Sequence, residues 1–153
     1  MSPEEILQAD GIEIPTPSPA VANYVRAVRA GSLLFVSGHG PTKDGKPAIV
    51  GKLGADLGVE DGRRAAELVT INILATLKAE LGELSRVKRI VKLLVMINAT
   101  PEFTEHPKVA DGSTDLLVKL FGDAGRPARS AVGMSSLPFN IAVEIEGVVE
   151  VEE

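Results

Sequence analysis

Two short stretches, 33–36 (LLFV) and 93–97 (LLVMI), are apolar without alternation. A strand that faces water on one side alternates apolar and polar residues. An unbroken apolar run therefore predicts a strand covered on both faces. Any fold for this chain must supply cover for two such strands.

The helices available for that cover are few. Residues 59–81 form the clearest helical pattern, with Ala66, Val69, Ile73, Leu77 and Leu81 recurring at spacings of three and four. Leu68, Ile71 and Leu74 widen the stripe, Arg63, Arg64, Glu67 and Lys78 lie outside it, and Gly82 is placed to end it in a left-handed cap. A second helix is predicted over about 111–121, carrying Leu116, Leu117 and Leu120, although Pro107 and Gly112 blur its start.

The strands read as follows. The segment YVRAVRAGSLLFVSG gives two strands joined near Ala30-Gly31. Asp44-Gly45 marks a hairpin turn, with 48–50 as its returning strand. A further strand spans 87–98. The last third reads as a hairpin, with strands over 129–134 and 141–151 joined by SSLPFN. In the second of these, Ile141, Val143, Ile145, Val149 and Val151 share one face, while Glu144 and Glu146 lie on the other. Residues 1–19, acidic and Pro-rich, read as an extended lead-in to a single domain over 20–153. The class is α+β, a mixed sheet with two helices on one face.

Two helices can cover only one face of such a sheet. The second face of 33–36 and 93–97 is expected to be covered by another copy of the chain, making a homo-oligomer.

Composition narrows the function. The chain has 153 residues and no cysteine, which excludes disulfides, thiolate metal sites and cysteine nucleophiles. The formal net charge is −5, with no block of Lys or Arg and only one Tyr and four Phe, so no nucleic-acid partner is expected. The N-terminus lacks the basic start and apolar stretch of a signal peptide, and no apolar run is long enough to span a membrane. A cytoplasmic protein handling small molecules is the expectation.

No HExxH, GxSxG, GxGxxG or Walker A pattern occurs. No metal and no cofactor are expected. His39, in SGHGP, reads as a loop residue near a pocket, and His106 as a surface residue. Arg129 begins a strand in GRPARSAVGMSSLP, where small neighbours leave room for a carboxylate to meet its planar fork. A structural ion pair is the plainer reading of such an arginine. Glu144 becomes a buried carboxylate if its face is covered, and it too can be structural.

At these residues the chain resembles a known family. PARSAV at 127–132, LP at 137–138 and VEIE at 143–146 resemble the C-terminal signature of the RidA/YjgF family, also labelled L-PSP endoribonuclease. YVRAVRAGSLLFVSGHGP resembles its opening strands, and LGELSRVKRIVKLLVMINATPEF its helix end and following strand. The resemblance spans about 20–151 and is to a divergent branch of the family.

The resemblance implies a chorismate-mutase-like fold and a trimeric barrel, with sites in clefts between subunits. It implies hydrolysis of 2-imino acids to 2-keto acids and ammonia without a cofactor. Arg129 would bind the substrate carboxylate, and Glu144 would orient the attacking water. Tyr24, Ser37, His39 and the backbone at Ala131 would line the cleft, Tyr24 being lent by the neighbouring subunit. A non-catalytic carboxylate or keto-acid binder of the same fold is the alternative, and an endoribonuclease a third. The chain departs from the family where many members have Cys at the position of Ala131 and Gln at that of His39. The family's asparagine before the second helix has no clear match here, Asp111 being the nearest residue.

The uncovered strand faces generate the first prediction. Sedimentation at micromolar concentration is expected to return a mass above that of one chain, and a monomer would contradict the two-faced burial.

Overall fold

The computed structural model describes every residue except Ser18 and Val21. Its first element is a helix, α1 (Pro3–Ala9), and this corrects the expectation of an extended lead-in. The cause is local. The hydroxyl of Ser2 accepts a hydrogen bond from the Glu5 N–H at 3.2 Å, and the Glu5 carboxylate accepts one from the Ser2 N–H at 2.7 Å. This capping box, with Pro3 in the first turn, satisfies the free donors of a short helix. Leu7 is buried beneath it, and Glu4 ties it down by accepting from the Leu84 N–H at 3.1 Å.

A hairpin follows, β1 (Ala27–Ala30) paired antiparallel with β2 (Leu33–His39). A second, small hairpin joins β3 (Thr42–Lys43) to β4 (Lys46–Pro47) through Asp44 and Gly45, at φ 53° and 78°. Two consecutive positive φ values make the tight turn that Asp-Gly favours. The returning strand is Lys46–Pro47 rather than 48–50, and Val50 instead forms an isolated bridge with Ile141.

Helix α2 (Val59–Leu81) ends at Gly82, which takes φ +87°. Ala66, Val69, Ile73, Leu77 and Leu81 are all buried, as their spacing predicts. Strand β5 (Val87–Asn98) follows, then α3 (His106–Phe121), β6 (Ala128–Met134) and β7 (Val143–Val151). Helix α3 starts a full turn before its predicted start. Pro107 sits in its first turn, where a missing N–H costs nothing.

The main sheet has the order β1-β2-β7-β5-β6. β5 and β6 run parallel, with α3 as their crossover, while β7 lies antiparallel between β2 and β5. The expected terminal hairpin is therefore wrong, because β6 and β7 do not pair. Burial explains the choice. Val143, Ile145, Val149 and Val151 are fully or nearly fully buried, which only a central strand allows. β6 is left at the edge.

The two long helices pack on one face, and they meet closely at glycines. A Cβ on Gly112, in mid-α3, would collide with the carbonyl oxygen of Arg63 in α2 and lie 2.8 Å from its Cα. Gly62 similarly meets Val109, at 2.8 Å from a methyl carbon. Gly112 is thus a packing device and not a weak helix start. The other sheet face is open at one end. Leu34 and Val36 are buried, but Phe35 is 46% and Val28 55% exposed. Two-faced burial within one chain holds for most of 93–97 and fails for 33–36, because the helices reach only one side.

Gly112→Ala is expected to destabilise the fold by about 1–3 kcal/mol, since backbone atoms of α2 would have to move. Thermal unfolding of the variant against the parent checks this, and an unchanged melting temperature would show that the helices can separate freely.

Candidate functional site

Side-chain direction in the sheet decides which candidates can meet. Arg129, Leu93 and Gly147 lie in one row across β6, β5 and β7, and Val132, Met96 and Glu144 in another. Partners in register share a face, and successive residues alternate faces. Leu93 and Met96 are an odd number of residues apart, so the two rows face opposite ways. Leu93 is buried with Leu117 of α3, on the helix side. Arg129 and Ala131 therefore face the helices, and Glu144 faces the open side.

The contacts agree. Nη1 of Arg129 donates to Oδ1 of Asp111 at 2.8 Å and to Oγ1 of Thr114 at 3.0 Å, both on α3. Its Nε and Nη2 make no hydrogen bond among the described residues. An open groove of about 570 Å³ runs beside it, lined by Thr114, Val118, Arg126 and Pro127. Asp111 thus holds the guanidinium in place. Ala131 is half-buried and packs against the core.

Glu144 is half-buried and has no hydrogen bond or ion pair among the described residues. Its carboxylate lies over Gly38, where a Cβ would collide with Oε2. Only glycine leaves that space. Burial raises the Glu144 pKa above its ordinary 4.5, and the Glu146 charge on the same face raises it further. A carboxylate that is poorly solvated and unpaired is a stronger base than a free one.

Ser37 stands beside Gly38, but its hydroxyl is committed, donating to the Arg26 carbonyl at 2.9 Å. It fastens the chain before β1 to β2. Tyr24, 44% exposed, lies just upstream on that same chain.

His39 lines a pocket, as expected, but its place in the backbone differs from the expectation. It is not a loop residue but the last residue of β2, only 3% exposed. The register of β2 shifts between Val36 and His39, and His39 pairs with Ile145 on the helix side. Its Nδ1 meets the Ser37 carbonyl at 2.6 Å, so Nδ1 carries the proton, and Nε2 accepts from the Thr76 hydroxyl at 2.8 Å. Burial lowers its pKa below 6.5, partly offset by the Ser37 carbonyl, and the Arg26 charge lowers it further. His39 is a locked, neutral core residue turned away from Glu144.

The candidates thus fall into two groups. Glu144 and Ser37 belong to the open side, Arg129 and Ala131 to the helix side, and Tyr24 lies exposed on the chain before β1. His106, starting α3, stacks edge-on against Phe103 at 5.2 Å. Among the described residues no three His, Asp or Glu side chains are grouped to hold a metal ion. Nor, among these residues, is any helix long and apolar enough to cross a membrane. Sequence reasoning missed Asp111 and Thr114 as the holders of Arg129. Their spacing of three on the helix facing β6 was the available signal.

The sequence profile of the family described as "YjgF/chorismate mutase-like, putative endoribonuclease" matches residues 4–150. Protein TCP17 of Trypanosoma cruzi is 44% identical over 145 residues, covering 94% of this chain and 91% of that protein. A 2-iminobutanoate/2-iminopropanoate deaminase of Dermatophagoides farinae is 29% identical over 153 residues, covering 99% and 100%. A crystal structure from Shewanella oneidensis, described as a putative endoribonuclease, superposes with a TM-score of 0.95 at 39% identity. It covers 99% of this chain and 100% of that one.

The locked histidine generates a pH prediction. Above pH 6.5 His39 is neutral in both folded and unfolded chains. As pH falls through 6.5 the unfolded chain takes up a proton that the folded site refuses, so stability declines until the lowered folded pKa is reached. The melting temperature is expected to fall over this window, and less steeply in His39→Gln. An equal slope in the variant would assign the effect to other groups.

Proposed function

Because this chain belongs to the YjgF/chorismate-mutase-like family, we propose that it is an imine deaminase, hydrolysing reactive 2-imino acids to 2-keto acids and ammonia. The observation that carries the reading is Glu144: a half-buried, unpaired carboxylate of raised pKa, standing over a glycine that leaves it room. The Dermatophagoides farinae relative, a named 2-imino acid deaminase, supports it across the whole chain.

Arg129 and Glu144 occupy opposite faces of one sheet, so a site using both draws them from two copies. The proposed assembly is the trimeric barrel, with Arg129 and Ala131 of one copy facing Glu144, Ser37 and Tyr24 of the next. Two features favour it. β6, which carries Arg129, is an edge strand. The open face presents Val28, Phe35 and Val132, each at least 40% exposed, as apolar surface for a neighbour.

In the reaction Arg129 holds the substrate carboxylate. On the protonated imine, Glu144 takes a proton from water as the oxygen bonds to the imine carbon and the C=N π pair moves to nitrogen, giving a neutral carbinolamine. The protonated Glu144 returns that proton to the amino nitrogen, the C–N bond breaks with its electron pair leaving on ammonia, and the carbinol proton passes to the Glu144 carboxylate as the keto group forms. Water supplies the oxygen, and the products are keto acid and ammonia.

The alternative is a keto-acid binder without turnover, favoured by the Asp111 contact that already engages Arg129. The endoribonuclease reading, which rests on the family description and the Shewanella oneidensis name, has less behind it. The net charge is −5, and both histidines are engaged in separate places, His39 by Thr76 and His106 by Phe103.

Keto-acid and ammonia release from imines made by an amino-acid oxidase tests the proposal. Glu144→Gln is expected to lower kcat by ~10²–10⁴-fold, the usual worth of a positioned base. Arg129→Ala is expected to act mainly on KM. The acid limb of kcat/KM should lie above pH 4.5 and vanish in Glu144→Gln, since the carboxylate works only when ionised. No acceleration by the parent protein, with calorimetric keto-acid binding retained, would leave the binder. Hydrolysis of RNA would favour the third reading.

A further inference from the structure

A hollow of about 760 Å³ lies against α2, roofed by residues 11–17 and closed at its inner end by His39. Ligand pockets typically run from about 300 to 1,000 Å³. We propose that it binds a small apolar organic anion carrying an N–H or O–H group. The site is separate from the Arg129–Glu144 cleft and does not depend on the function proposed above.

The walls set the body of the ligand. Ile12 and Ile14 come from the roof, and Leu68 and Ile71 from α2. Ile12, Ile14 and Ile71 are partly buried against the core, so the apolar lining is anchored.

The polar end sets its head. His39, although 3% exposed, adds no charge, because its ring nitrogens are spent on Ser37 and Thr76. Arg26 also lines the hollow, close enough for its charge to depress protonation of His39. Arg26 is half-buried, whereas the other charged lining residues, Glu13, Lys43 and Asp44, are exposed at the rim and screened by water. The charge held inside is therefore positive, and it selects against cations. Asn72 spends both amide protons, on the carbonyls of Gly40 at 2.9 Å and Thr42 at 3.0 Å. Its Oδ1 has no partner among the described residues and suits a donor on the ligand.

The roof can accommodate entry. It is pinned by Ile12 N–H donating to the Leu7 carbonyl at 2.9 Å and by Arg26 Nη2 donating to the Pro19 carbonyl at 3.3 Å. Between these points no backbone hydrogen bond holds it among the described residues, and Pro15 and Pro17 have no N–H to offer.

The probe 1-anilinonaphthalene-8-sulfonate has the three properties required: aromatic body, anionic head and one N–H. Fluorescence titration of the full chain is expected to show saturable binding at one site per chain. Ile71→Trp, which fills the hollow, should weaken it by ~10-fold or more, and Arg26→Gln by about 3-fold or more. Arg129→Ala should leave it unchanged. Thr16→Trp narrows the mouth from the exposed roof and serves if Ile71→Trp fails to fold. Parent-like binding by a folded Ile71→Trp or Thr16→Trp would overturn the proposal and put the probe on the open sheet face. So would loss of binding in Arg129→Ala with the hollow unaltered, or no saturable binding by the parent.

Discussion

Everything placed on this sheet answers to the alternation of side chains along β5. That strand is hydrogen-bonded on both sides, to β6 and to β7, so its register cannot slip without breaking two ladders. Leu93 and Met96 consequently fix the faces of Arg129 and Glu144 at the same time. The two residues are one strand apart on either side of β5 and about 10 Å apart along it, at ~3.3 Å per residue. A guanidinium below the sheet and a carboxylate above it cannot hold one small substrate. Under the proposed reaction the two residues would therefore have to come from two copies of the chain.

The parts of the fold legible in the sequence are those decided by neighbouring residues. Helix α2 and strand β5 carry their own apolar patterns and their own stop signals, Gly82 and Pro101, and both match their expected bounds. Pairing between distant segments was not legible in this way. SSLPFN looked like a hairpin connection because it joins two strands in sequence. What decided the outcome was that β7 is apolar on its helix side from Val143 to Val151 and gains most by lying between β2 and β5. The capping box of Ser2 and Glu5 was present in the letters, but the surrounding prolines masked it. His39 reads as a loop residue because the register shift that turns it inward from the end of β2 leaves no mark on local composition.

Burial acts on both His39 and Glu144, and in each it favours the neutral form. The consequences differ because the partners differ. His39 has both ring nitrogens satisfied, so its neutrality is structural and a proton arriving there disrupts a packed network. Glu144 has no partner among the described residues, so its raised pKa is not offset by a fixed bond there and the carboxylate can exchange protons with whatever enters. Two buried titratable residues are thus separated by hydrogen-bond accounting.

The same accounting limits how a carboxylate can reach Arg129. A guanidinium has two edges that offer paired N–H donors, one formed by Nη1 and Nη2 and the other by Nε and Nη2. Asp111 and Thr114 occupy Nη1, which leaves only the Nε–Nη2 edge for a two-point contact. Asp111 also cancels part of the charge, so a ligand must make up in geometry what it loses in field strength. The arginine is therefore fixed in orientation by its helix-side contacts, and the carboxylate of the proposed substrate would meet a single permitted edge.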